Sequence, residues 1–113
     1  MRRRVAHWLV AGVLLGAALA SAQMEKRTVR GTVTYRGGEP AAQAAVELEN
    51  TTTMQVVSQR TDAKGHYHFS GLDSNLEYTV AATKKGYWSK RYTVSKFSSK
   101  NEIEVNLTLE PSR

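Results

Sequence analysis

The chain has 113 residues, with 16 lysines and arginines against 10 aspartates and glutamates, and no cysteine. That length suits one hydrophobic core and leaves no room for a second domain. The lack of cysteine excludes a disulfide framework, a thiol nucleophile and a thiolate metal site.

The first stretch, MRRRVAHWLVAGVLLGAALASAQ, opens on Arg2, Arg3 and Arg4, runs without charge from Trp8 to Ala20, and closes on Ala20-Ser21-Ala22 before Gln23. A basic start, a short apolar centre and small residues before the cut are the parts of a secretory signal peptide. The run is shorter than the roughly 20 apolar residues of a spanning helix. The expectation is a signal peptide over 1–22 and a short tail over 23–27. The product is exported, periplasmic or extracellular, of bacterial type, with no membrane span after cleavage. Sixteen basic residues less the three arginines leave thirteen against ten acidic ones. Most of the excess charge belongs to the targeting segment, so nucleic acid is not an expected partner.

Beyond residue 27 the chain reads as strands. Val29, Gly31, Val33 and Tyr35 alternate with Thr28, Arg30, Thr32 and Thr34, and RGGEP at 36–40 ends the run. Ala44, Val46 and Leu48 alternate with Ala45, Glu47 and Glu49. MQVVSQR at 54–60 is a less regular third strand, and Tyr67 and Phe69 alternate with His66, His68 and Ser70. Tyr78, Val80 and Ala82 follow the same period, YWSKRYTV at 87–94 forms a sixth run, and Ile103, Val105, Leu107 and Leu109 form the seventh. No segment after the signal has a helical period. Seven short strands, each with one apolar face, predict an all-β fold, an antiparallel two-sheet sandwich.

Two motifs raise the question of chemistry. In TDAKGHYHFSGL, Asp62-Ala63-Lys64-Gly65 has the residues of a type I turn with a bulge, and the stretch reads as the tip and first strand of a hairpin. A calcium loop needs oxygen ligands where Ala63 and Lys64 stand. His66 and His68 share one side of their strand, but Tyr67 and Phe69 take the core side, and after residue 22 no further histidine exists to complete a zinc site. No metal site, cofactor or catalytic residue is expected, and no G-x-S-x-G elbow occurs. The second motif is KKGYWSKRY, where Lys84, Lys85, Lys90 and Arg91 interleave with Tyr87, Trp88 and Tyr92. Stacking aromatics beside cations suit a sugar or an anionic surface. In the competing reading Trp88, Tyr92 and Val94 share one strand face and fill the core, with the cations on a solvated edge.

In order, VRGTVTYRGGEPAAQAAVELEN, TDAKGHYHFSGL and LEYTVAATKKGY resemble a carboxypeptidase regulatory-like domain, a transthyretin-type (prealbumin-like) β-sandwich, over residues 28–110. The resemblance implies a non-catalytic domain of a kind commonly appended to peptidases, outer-membrane transporters or surface proteins. Starch-binding-like folds are related, which brings in carbohydrate binding. One enzyme of this fold group, the transthyretin-related hydroxyisourate hydrolase, carries a C-terminal Tyr-Arg-Gly-Ser signature. Here the chain closes on LTLEPSR, and Tyr35-Arg36-Gly37-Gly38 falls in the first hairpin. The expected role is a structural or protein-interaction module whose partner is a protein or a cell-surface glycan. The alternative is a small carbohydrate-binding module using Trp88, Tyr87 and Tyr92. The signal reading makes a direct prediction: mass spectrometry of exported protein should find Gln23 at the N-terminus, and an intact Met1 would refute it.

Overall fold

The computed structural model of the chain describes residues 25–111; the expected signal peptide lies outside them. Within these residues all regular structure is strand: β1 (Lys26–Tyr35), β2 (Ala45–Asn50), β3 (Val56–Arg60), β4 (His66–Asp73), β5 (Tyr78–Lys84), β6 (Tyr87–Trp88), β7 (Tyr92–Val94), β8 (Glu102–Glu104) and β9 (Leu107–Pro111). The strands follow the order β3-β2-β5-β6-β9-β1-β4, with β7 beside β5 and β8 beside β1. Two layers result, β3-β2-β5-β7 and β4-β1-β8, stitched at one margin by the antiparallel β6–β9 pair.

The apolar residues singled out by alternation form one core between the layers. Val29, Val33, Tyr67, Phe69, Val105, Leu107 and Leu109 meet Ala44, Val46, Leu48, Tyr78, Val80, Ala82 and Val94 there. Each comes from the inward half of a period-two pattern, so burial and strand formation have the same cause. β1 begins at Lys26, two residues earlier than the alternation indicates, and Arg27 takes an inward position. Its guanidinium is buried and donates to the carbonyls of Ser95 (2.9 Å) and Ser98 (2.8 Å), pinning the segment between β7 and β8.

Two expectations change. The fold is all-β and two-layered, but not wholly antiparallel: β1 runs parallel to β8 and to β9. The strands around the Asp62–Gly65 turn also do not form a hairpin, because β3 pairs with β2 while β4 pairs with β1. The turn after Tyr35 does close a short hairpin, in which Thr34 faces Pro40 and Tyr35 N donates to Glu39 O at 2.8 Å, but β2 itself pairs with β3 and β5. The reason lies in what holds the 61–65 segment. The buried Thr61 hydroxyl donates to Ala41 O and accepts from Ala44 N, and Gly65 O accepts from Val33 N. The turn is thereby fastened to β1 and to the approach to β2, and the chain crosses between layers there.

The expected seventh strand is interrupted at Val105 and Asn106 without any loss of register. Thr28 to Arg30 face Glu102 to Glu104, and Val33 to Tyr35 face Leu107 to Leu109. Between these ladders a Cβ added to Gly31 would lie 1.7 Å from Val105 O. Glycine is required by this approach of one backbone to another. Tyr67 stands opposite Gly31 on β4, and its hydroxyl donates across the gap to Val105 O at 2.6 Å. Burial pushes the pKa of that hydroxyl up and keeps it a donor. Thr32 N donates instead to the Asn106 side-chain oxygen at 3.0 Å. In urea unfolding, Tyr67→Phe should cost about 1–3 kcal/mol, because Val105 O is left buried without its donor. Gly31→Ala should cost more than about 3 kcal/mol or prevent folding, since backbone must move to relieve the contact. A Gly31→Ala protein of unchanged midpoint would show that the seam is not where the strands meet.

Candidate functional site

The hairpin β5–β6/β7 carries the seven residues that the sequence marks as a ligand surface. Thr83 faces Trp88 and Lys84 faces Tyr87, but Val80 faces Tyr92. Three steps along β5 therefore oppose four along the returning chain, and the extra residue forms a bulge at 89–91. Ser89 makes the bulge: its N donates to Ala82 O, and its hydroxyl accepts from Ala82 N, both at 2.9 Å. One inserted residue reverses the facing of everything beyond it.

Trp88 and Tyr92 consequently lie on opposite faces, and the shared core face expected for Trp88, Tyr92 and Val94 is not formed. Trp88 shares the outer face with Thr83 and with Glu110 of β9, and is 57% exposed. Tyr92 turns inward at the open margin and is 50% exposed, while Val94 alone of the three is buried. Tyr87 packs edge-on against Tyr35, with ring centroids 5.2 Å apart. The Lys84 ammonium bonds to Ala42 O and stands over the Tyr35 ring. Arg91 reaches Glu49 (3.4 Å) and Thr79 (3.3 Å) on the outer face. Lys85, in the turn with Gly86, and Lys90 are exposed. The structure thus gathers Trp88, Lys90 and Glu110 around one shallow cleft and places Tyr87 and Tyr92 elsewhere.

The histidines occupy the outer face of the other layer. His68 faces Arg30, which faces Glu104, and His66 faces Thr32. These residues line an open groove with Asp62. Asp62 Oδ1 accepts from Lys64 N and His66 N, both at 2.9 Å, and Gly65 closes the turn at φ 81°. The His66 backbone bond is the largest cause holding the Asp62 carboxyl below the usual carboxylate range; desolvation opposes it, and the Lys64 bond and nearby positive side chains add to it. Among the described residues no cluster of three or more histidine, cysteine, aspartate or glutamate side chains is arranged to hold a metal ion.

The remaining surface feature is β3. It pairs with β2 on one side only, and all five of its residues are exposed. Val56 and Val57 are each 52% exposed, and Met54 precedes them in the left-handed conformation at φ 66°. The less regular alternation of MQVVSQR at 54–60 is the sequence signal for this edge position.

A profile of the carboxypeptidase regulatory-like domain matches residues 28–110. The chain belongs to that family. No curated protein matches it at significance. Solved structures similar to this regulatory-like domain include the Bacillus anthracis TIE protein, with a TM-score of 0.60 at 19% identity, covering 76% of this chain and 17% of that one. The major pilin subunit of Bacillus cereus aligns with a TM-score of 0.57 at 21% identity, over 78% of this chain and 29% of the pilin. Catechol 1,2-dioxygenase of Acinetobacter radioresistens aligns with a TM-score of 0.56 at 12% identity, over 82% of this chain and 54% of the enzyme. These likenesses are of fold; the regulatory-like domain spans well under two thirds of each of these proteins. Among its described residues no helix is long and apolar enough to cross a membrane.

The Asp62 geometry fixes a pH dependence. A carboxyl whose folded pKa is depressed adds stability that is complete above the unfolded value and is lost as pH falls through the folded one. Asp62→Asn keeps the acceptor oxygen but does not titrate. The melting temperature of the wild type should exceed that of Asp62→Asn near neutral pH, and the margin should close as pH falls below about 4. A margin independent of pH would show that the carboxylate charge plays no part in the turn.

Proposed function

We propose that the protein is a non-catalytic interaction module of the cell exterior or envelope, engaging another chain by strand addition at the free side of β3. The observation that carries this reading is the β3 edge itself. It offers unpaired backbone groups beside Val56 and Val57, with no proline, bulge or inward charge of the kind that shields sheet edges. The family assignment supports a non-catalytic role, and its fold neighbours include a pilin subunit.

A second reading has its own observation. The exposed indole of Trp88, beside Glu110 and Lys90, offers a flat apolar face flanked by hydrogen-bonding groups, the chemistry of sugar stacking. It rests on Trp88 alone, because Tyr87 and Tyr92 are turned away from it.

One experiment separates the two. Hydrogen exchange of the protein, alone and with a cell-surface fraction from its host, should show new protection at the Val56, Ser58 and Arg60 amides. Trp88 is the one tryptophan after residue 22, so its fluorescence reports on sugars directly. Titration with cell-wall oligosaccharides should leave the emission unchanged. A blue shift of Trp88 on sugar addition, without protection in β3, would overturn the strand-addition reading in favour of the glycan one.

A further inference from the structure

The free side of β3 has a pattern that fits a specific partner. Asn50 N donates to Gln55 O and Thr61 N donates to Ala44 O, which fixes the alternation of the β2–β3 ladder. Val57 and Gln59 then exchange bonds with Leu48 and Val46, and the N–H and C=O groups of Val56, Ser58 and Arg60 point away from the sheet. Ser58 is both the middle residue of the strand and one of the outward-bonding ones. A two-fold axis through a strand centre closes a hydrogen-bonded pair only when both conditions hold.

We infer that the β3 edge pairs antiparallel with β3 of a second copy of this chain, centred on Ser58. This rests on the strand-addition reading above and names its partner. In that register Ser58 meets Ser58, and Val56 of each copy meets Arg60 of the other, so about six backbone bonds form with no outward group left over. The charges agree with it. The two Arg60 side chains lie at opposite ends of the seam rather than against each other. Each stands beside the small Val56 of the other copy, in line with that copy's Glu49. Two inter-strand spacings, about 10 Å between Cα atoms, separate Arg60 from that Glu49. In the single chain Arg60 Nη1 donates to Gln43 O at 3.0 Å; pairing exchanges that bond for the other copy's Glu49, which also holds Arg91 at 3.4 Å. On the inner side, each half-exposed Val57 is covered by the Gln59 of the other copy. A seam five residues long buries less than a standard stable interface, so the pairing is weak and reversible.

Sedimentation velocity of the exported protein tests this. The weight-average mass should rise from one chain toward two as concentration increases from micromolar to millimolar. Ser58→Pro deletes the central outward N–H without removing a bond to β2, and should abolish the rise at unchanged melting temperature. Val56→Lys sets a lysine against Arg60 and should abolish it too, while Val56→Lys/Arg60→Glu should restore it. The charge pair keeps the test decisive should Ser58→Pro fail to fold. A single-chain mass at every concentration overturns the inference, as does a rise that survives Val56→Lys or is not restored by the double variant. If the wild type stays monomeric while the surface fraction still protects Val56, Ser58 and Arg60, self-pairing falls and strand addition stands. If neither is seen, both fall.

Discussion

The carbonyl of Val105 is the point on which the β4-β1-β8 layer depends. It occupies the space where Gly31 has no side chain, and it takes the Tyr67 hydroxyl from the far side of β1. Three strands distant in sequence are joined by that one oxygen: β1 from the beginning of the fold, β4 from its middle, and the β8–β9 segment from its end. A chain with no disulfide must close its largest loop through packing and hydrogen bonds alone, and the entropic cost of closure rises slowly with loop length. The parallel ladders on either side of Gly31 supply that closure. Asn106 completes it by replacing with its side chain the backbone partner that Thr32 would otherwise lack.

Period-two alternation was sufficient to find the strands and their inward faces, because burial of one face is what makes a strand pay its ordering cost. Val29 and Val33, Val46 and Leu48, Tyr67 and Phe69, and Leu107 and Leu109 are all buried where the pattern places them. Pairing was not legible in the same way. Asp62 and Gly65 specify a turn locally, but whether the strands on either side pair with each other is decided by Thr61 and Gly65 gripping residues 20 and more positions earlier. The facing of Trp88 turned on one serine hydroxyl standing in for a backbone carbonyl, and a serine in a polar run gives no sign of that. Arg27 was likewise unremarkable in a basic tail, although the structure buries it over two carbonyls.

The two surfaces proposed for recognition sit at opposite margins of one layer. β3 forms one margin, Trp88 lies at the other where β6 meets β9, and the outer face between them carries Glu47 between Ser58 and Ala81, with Ala45 facing Thr83. The second layer presents a different outer face, with the His66, His68, Arg30 and Glu104 groove. Occupation of the β3 edge would therefore leave the indole clear, so the two proposed modes do not compete for space.

The parallel pairing of β1 with β8 and β9 also sets how the domain carries load. Because the first and last strands run in the same direction, the chain enters at the Lys26 end of the seam and leaves at the Pro111 end, at opposite poles of the sandwich. Tension applied through the two ends acts along these strands rather than across them. The ladder bonds on both sides of Gly31 are then strained together, in shear, and must give way as a group instead of unzipping one at a time.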